Sequence, residues 1–227
     1  MYFSLDDMIG FLPSLLQGAV LTIVLSLLAF ALALICGLAA GIARISRVTP
    51  LRVVAACYIQ FIRGTPLLLQ LFFIYYVLPY VGIVLTPFVS GVIGLTMNYA
   101  AYMAEVFRSG IQAIPKGQWE AGSSVGMSRH LLMRRIILPQ AFRIIAPALG
   151  NFFVSIFKDS ALVSVITLRD LMFSGQLLAS ATYKHFEIFT MVAVIYFLIS
   201  YPTAKFVEWV EAKIDITRRP MVIGMRG

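Results

Sequence analysis

Residues 8–43 read MIGFLPSLLQGAVLTIVLSLLAFALALICGLAAGIA, a run without a single Lys, Arg, Asp or Glu. A second charge-free run extends from Gly64 to Ala104. A helix needs about 20 predominantly apolar residues to cross a bilayer, and each run exceeds that. The composition agrees: of 227 residues 60% are hydrophobic and only 12% charged, about half the charged share of a water-soluble domain. Backbone amides in lipid must bond within their own segment, so the runs are helices. The sequence describes an all-α integral membrane protein.

Working outward gives five spans in a single transmembrane domain over residues 1–227, at about 18–43, 53–78, 88–111, 138–157 and 186–207. The second is expected to stop at LPYVGIVLTP, where Pro79, Gly82 and Pro87 punctuate the chain. Residues 161–181 are interrupted by Arg169 and Asp170 and are read as an interfacial helix and loop. The start lacks a positive region and carries Asp6 and Asp7, which predicts that the first apolar stretch is kept rather than cleaved. Cys36 and Cys57 stand alone, without metal-ligand or redox spacing.

Positive charge collects on the cytosolic side of membrane proteins. Arg44, Arg47 and Arg52 follow the first span, six Lys or Arg lie between Arg108 and Arg143, and five lie from Lys205 onward. The other side holds three, in the loop from Lys158 to Glu187. The bias predicts an N-terminus outside and a C-terminus in the cytosol, and it accounts for the net charge of +8 without a nucleic-acid partner.

Residues 112–137 then form a cytosolic loop, and the polar, small-residue stretch EAGSSVGMSRHLLMRRIILP (120–139) lies across its end. A short helix over Lys116–Val125 would expose Ala121, Gly122, Ser123 and Ser124, small enough for another surface to approach the backbone. Gly126 marks a turn, Ser128 suits an N-cap, and basic residues from Arg129 to Arg135 lie towards the end of a second helix. Pro139 is expected in the first turn of the fourth span. Two short helices and a turn make a knob for a socket on a partner. The alternative is an ordinary amphipathic loop helix.

Glu120, Ala121, Gly122, Gly126, Ile136, Leu138 and Pro139 resemble, position by position, the cytoplasmic motif of binding-protein-dependent ABC importer permeases. That motif is Glu-Ala-Ala, three residues, Gly, nine residues, Ile, one residue, Leu-Pro; the one departure is Gly122 for the second Ala. YIQFIRGTPLLLQLFFIYY (58–76), NYAAYMAEVFRSGIQAIPKGQWEAG (98–122) and LPQAFRIIAPALGNFFVSIFKDSALVSVI (138–166) are similar to the polar amino-acid branch of that family. The resemblance implies a permease subunit of an ATP-driven importer in the bacterial cytoplasmic membrane. Its partners would be two cytosolic ATPase subunits, a second permease subunit, identical or homologous, and an extracytoplasmic solute-binding protein. The knob would dock on an ATPase as a coupling helix, through Glu120, Ala121, Gly122, Gly126 and Arg129. ATP and Mg would be bound by that partner, and no cofactor by this chain.

Polar residues recur at helical spacing inside the spans, where they cost energy unless they face a cavity or a partner. Asn98, Tyr102 and Glu105 share one face of the third span, Asn151, Ser155 and Lys158 or Asp159 one face of the fourth, and Arg63 and Gln70 flank GTP in the second. Gln70, Asn98, Tyr102, Asn151 and Ser155 are expected to line a lumen for an amino acid; the alternative is that they join helix to helix. Arg63, Glu105 and Arg108 are expected to form a gating or ion pair near the cytosolic end, with Glu105 meeting either arginine. Lys158 and Asp159 belong to the outer end, where loop structure competes for them. Gly37 and Gly41 have the spacing of a close helix contact.

Other functions fit less well. A membrane enzyme would need catalytic spacing, but the chain has two histidines, His130 and His185, and neither HExxH nor GxSxG. A stand-alone secondary transporter or channel would show matching halves or broken helices, and five spans do not halve. No GxxxxGK[ST] phosphate loop is present, so ATP hydrolysis would fall to a partner. GQWEAG and LFFIYYVLP are similar to permeases for cystine or glutamine.

Overall fold

The structure, a computed structural model, describes residues 5–214, with side chains from Met8 onward. Asp6, Asp7 and the basic Arg218, Arg219 and Arg226, which entered the charge reading, lie outside the described side chains. Among the described residues every regular element is helical. Three helices are long and apolar enough to cross a membrane, Met8–Arg44, Arg129–Ile166 and His185–Ile214, or four if a bent pair counts as one span.

Helix α1 (Leu5–Arg44) is the charge-free run made continuous, with Arg44 in its last turn, where a cation suits the macrodipole. It lies along α4 (Pro87–Gln112) in the most extensive helix pairing of the molecule. Glycine allows that approach. A Cβ on Gly37 would lie 2.8 Å from Met103 Cβ, and one on Gly41 2.9 Å from the Ala104 carbonyl oxygen. Thr86 caps α4, its hydroxyl accepting from the Val89 amide at 3.3 Å. Helix α4 is long enough to span but too polar to register as a membrane helix by composition. The reason is burial: it sits amid the bundle, with Leu95, Ala100, Ala101, Met103 and Ala104 fully enclosed, so fewer of its residues need to suit lipid.

The expected second span over 53–78 is broken. Helix α2 (Thr49–Arg63) and the segment beginning with α3 (Leu67–Phe72) meet at 104°. Pro66 causes the break, because it lacks an amide hydrogen and pushes Thr65 out of the helical region. The segment runs on through a π turn (Phe73–Val77) and a 3₁₀ turn, ending at Gly82 with φ +84°.

A second difference concerns the loop read over 112–137. Helix α5 (Lys116–Ser124) is followed by α6 (Arg129–Leu132), which passes through a π turn (Met133–Ile137) directly into α7 (Leu138–Asp159). Residue 138 is therefore no helix start. Pro139 cannot donate to the carbonyl one turn back, and the widened turn accommodates its ring without ending the helix.

Beyond a 3₁₀ turn (Ser160–Ile166) come α8 (Leu171–Thr182) and α9 (His185–Ile214). Asp170 caps α8, its carboxylate accepting from the Phe173 amide at 2.9 Å, while Thr22 on α1 accepts from the Leu171 amide at 3.1 Å. Asp170 is fully buried, and burial pushes its carboxyl up to about 6 from an ordinary 3.8. With its folded value raised, Asp170 contributes stability that is fully present below pH 3.8 and is lost as pH rises through about 6. Melting of the purified protein should therefore soften between pH 4 and 7, and Asp170→Asn, which keeps the cap, should flatten that part of the profile. An unchanged slope would remove Asp170 as its source.

Candidate functional site

The broken α2–α3 span makes an elbow, and Gln70 holds it. Its Nε2 donates to the Ile62 carbonyl at 2.8 Å, the Thr65 carbonyl at 3.1 Å and the Thr65 hydroxyl at 2.9 Å. Its Oε1 accepts from Asn98 Nδ2 at 3.1 Å, tying the elbow to α4. Gln70 and Asn98 are each 7% exposed. The amide is thus a structural tie rather than a wall of open space. Replacing Gln70 with Leu removes the Nε2 donor from the Thr65 carbonyl and the acceptor from Asn98 Nδ2, and leaves the Ile62 carbonyl only longer bonds at 3.4 Å from the Thr65 amide and hydroxyl. At about 1–3 kcal/mol for each unsatisfied group, Gln70→Leu should lower the melting temperature of the protein by several degrees. Asn98→Leu, which removes one bond, should shift it much less.

In front of this tie lies a cavity of about 560 Å³ between the elbow, α4 and α7. Arg63, Thr65, Asn98, Tyr99, Tyr102, Ser155 and Asp159 supply its polar lining, and Pro66, Phe152 and Leu162 much of the apolar remainder. Arg63 ends α2 and places its guanidinium carbon 5.2 Å from the centre of the Tyr102 ring, a cation–π distance. One turn earlier on α4, the Tyr99 hydroxyl donates to Asp159 Oδ2 at 2.7 Å.

The cavity brings together Asn98, Tyr102, Ser155, Arg63 and Asp159. Gln70 stands behind it, bonded to its wall. Asn151 and Lys158 do not line it; Lys158 is exposed and faces a separate hollow with Met172 and Tyr196. Of the two expected partners for Glu105, Arg108 is the one taken: Arg108 Nε donates to Glu105 Oε1 at 2.8 Å, and Nη2 to the same oxygen. Arg63 is left facing the cavity. Tyr99, Phe152 and Leu162 were not singled out from sequence. Tyr99 lies one residue off the Asn98–Tyr102–Glu105 stripe, and only the position of Asp159 shows what its hydroxyl does.

The knob has a defined shape. Ser128 caps α6, accepting from the Leu131 amide at 3.3 Å. Gly126 has φ +78° with open space around it, so glycine is there for backbone conformation and not for room. Ala121, Ser123, Ser124 and Glu120 are exposed, as is Arg129. Gly122 departs from the expected surface: it is buried, and a Cβ there would meet Leu132 Cδ1 at 2.3 Å. It seats α5 on α6 instead of facing a partner. Since the obstacle is the end of a flexible side chain, Gly122→Ala should fold normally, whereas Gly122→Leu should separate the two helices; protease sensitivity within 116–132 would report the difference.

The sequence profile of the family described as binding-protein-dependent transport system inner membrane component matches residues 33–216. The chain belongs to that family. Among other members, it is 40% identical over 207 residues to the L-cystine transport system permease protein TcyB of Bacillus subtilis (strain 168), covering 91% of this chain and 88% of that one. It is 36% identical over 200 residues to the probable glutamine ABC transporter permease protein GlnM of the same organism, covering 88% and 93%. A solved chain, from the crystal structure of an amino acid ABC transporter with histidines, superposes with a TM-score of 0.88 at 39% identity over 94% of this chain and all (100%) of that one. A chain of the inward-facing MetNI methionine ABC transporter superposes with a TM-score of 0.69 at 17% identity over 93% and 99%, a likeness of fold alone. The family is a membrane transport component, and the exposed knob and the polar cavity are features of one of its members.

Proposed function

We propose that the chain is the permease subunit of an ATP-driven importer carrying a polar amino acid across the bacterial cytoplasmic membrane. What carries the reading is the family match over residues 33–216 in a chain whose apolar helices border a polar cavity. The relatives named for L-cystine and glutamine support an amino acid as cargo. In this reading the domain crosses the membrane five times, counting the bent α2–α3 pair and α4, with the N-terminus outside and the knob in the cytosol. Two ATPase subunits binding ATP and Mg, a second permease subunit and an extracytoplasmic binding protein complete the complex. The cavity is the substrate pathway, walled by Asn98, Tyr102 and Ser155. Glu120, Ala121 and Arg129 form the docking surface, and Gly122 and Gly126 shape it.

Purification of the complex from its native membrane, followed by uptake of labelled amino acids into vesicles, tests this. ATPase subunits should co-purify, and uptake should require both ATP and the binding protein. Broken helices also occur in secondary transporters, so uptake without nucleotide would move the reading there. Orientation has its own test. A cysteine at Val84, 79% exposed in the turn before α4, should label from outside, and one at Ser123 only after permeabilisation. The reverse pattern would overturn both the orientation and the docking surface.

A further inference from the structure

Lys158 lies in the last turn of α7, at the end of that helix away from the knob, and is exposed. Among the described residues it forms no ion pair. Two carboxylates at this end of the bundle are engaged elsewhere. Its chain neighbour Asp159 lines the polar cavity and accepts from the Tyr99 hydroxyl at 2.7 Å. Asp170 is fully buried, caps α8 and accepts from the Tyr196 hydroxyl at 3.4 Å.

What lies beside the ammonium is apolar. Lys158 borders a hollow of about 380 Å³ walled by Met172 of α8 and by Phe189, Val192, Ala193 and Tyr196 of α9, and no other charged side chain lines it. With the Tyr196 hydroxyl spent on Asp170, the hollow offers a ligand carbon surface and one positive charge. Phe189 and Ala193 also line a second hollow of about 690 Å³, which continues over Val194 and Phe197, with His185 and Thr190 its polar side chains. Val194, Phe197 and the adjacent Leu198 are exposed, so the two hollows open on the apolar face that α9 turns away from the bundle. In a membrane that face meets lipid.

A ligand for this place must cover carbon on both sides of the Phe189–Ala193 ridge and bring one negative charge to Lys158. A small anion leaves the hollows uncovered. An uncharged lipid leaves an ammonium unpaired beside hydrocarbon, which is costly, and in a zwitterionic lipid the phosphate is already offset by the lipid's own cation. We propose that Lys158 and the two hollows along α9 form a binding site for an anionic diacyl phospholipid. The Lys158 ammonium pairs with the phosphate, and the two acyl chains lie on either side of the ridge made by Phe189 and Ala193. Bound there, the lipid joins the end of α7 to α8 and α9.

The test is native mass spectrometry of the protein, with the subunits that co-purify, stripped of lipid in detergent. It is titrated with dioleoyl phosphatidylglycerol, dioleoyl phosphatidylcholine and single-chain lysophosphatidylglycerol. The wild type should hold phosphatidylglycerol about tenfold more tightly than phosphatidylcholine, the scale of one charge-assisted contact, and more tightly than the single-chain lipid. Lys158→Gln should remove the preference over phosphatidylcholine, and Lys158→Arg should keep it. Ala193→Trp, which fills the wall shared by the hollows and leaves Lys158 in place, should weaken binding of both two-chain lipids. Lys158 and Ala193 are both exposed, so these variants should elute as wild type. Equal retention of phosphatidylglycerol and phosphatidylcholine by the wild type would overturn the site. So would a preference that survives Lys158→Gln, which places the charge contact elsewhere. Undiminished binding by Ala193→Trp would reduce the effect to general attraction of anionic lipid to a basic surface. The readout involves neither cargo nor nucleotide, so its failure would leave the transport reading untouched.

Discussion

Gly37→Leu is expected to abolish accumulation of the folded protein in the membrane. Helices α1 and α4 form the most extensive pairing in the molecule, and Gly37 sits where their backbones meet. A Cβ there would lie 2.8 Å from Met103 Cβ and 3.0 Å from the Ala100 carbonyl oxygen. Neither atom is the far end of a flexible side chain, so relief requires the helices to separate. Overpacking of a tight core costs about 1–3 kcal/mol even where neighbours can yield, and here a four-carbon side chain must be placed against backbone. The loss spreads, because the same seam buries Leu25, Ala29, Ala33, Leu95 and Met103. Size-exclusion profiles of the detergent-solubilised protein should show loss of the folded peak. Gly10→Leu is the control: nothing lies within 4 Å of a Cβ at Gly10, so that variant should behave as wild type. Normal yield and melting of Gly37→Leu would mean that α1 does not need this contact.

The Gly37–Gly41 spacing was visible in the sequence, but a pair of glycines four apart says nothing about which helix they meet. Apolar runs fix that a helix exists, because lipid leaves the backbone no other partner. They leave its breaks less certain. Arg63-Gly64-Thr65-Pro66 contains the signals of a break, yet the apolar residues on both sides continue as if the span were whole. Pro139 shows the converse: a residue expected to open a helix is carried within one by a π turn. The polar stripes pointed to two walls of the cavity, Asn98 and Tyr102 on α4 and Ser155 on α7, but period alone left open whether such residues line a lumen or join helices. Spacing did not separate a lining residue from a tie behind the lining. Gln70 satisfies the carbonyls exposed by the elbow, a need that arises only once the helix is known to break. The pairing of Glu105 with Arg108 instead of Arg63 depends on the distance between helices, which periodicity within one helix does not contain.

The knob carries the other large expected effect. Gly126→Val should leave the protein in the membrane and abolish substrate-stimulated ATP hydrolysis by the assembled complex. At φ +78° a β-branched side chain is strained by about 1–2 kcal/mol, and the surrounding space is open, so the whole effect is conformational. The backbone can relieve it only by changing the angle between α5 and α6. Glu120 and Ala121 lie on one side of that turn and Arg129 on the other, so the change dismantles a two-sided docking surface without touching either side. Gly126→Ala, unbranched but still strained at positive φ, should lose less. Glu120→Lys acts through charge: Glu120 is an exposed carboxylate on the knob, suited to a basic group on an ATPase, and a lysine there repels it. The two variants should differ in kind. Glu120→Lys should lower the amount of ATPase bound, with loss increasing at low salt; Gly126→Val should show the same defect across ionic strengths. ATPase stoichiometry and stimulated hydrolysis, measured on reconstituted complexes at two salt concentrations, separate the two mechanisms. Full stoichiometry with coupled hydrolysis in both variants would place the joint with the ATPase elsewhere on the chain.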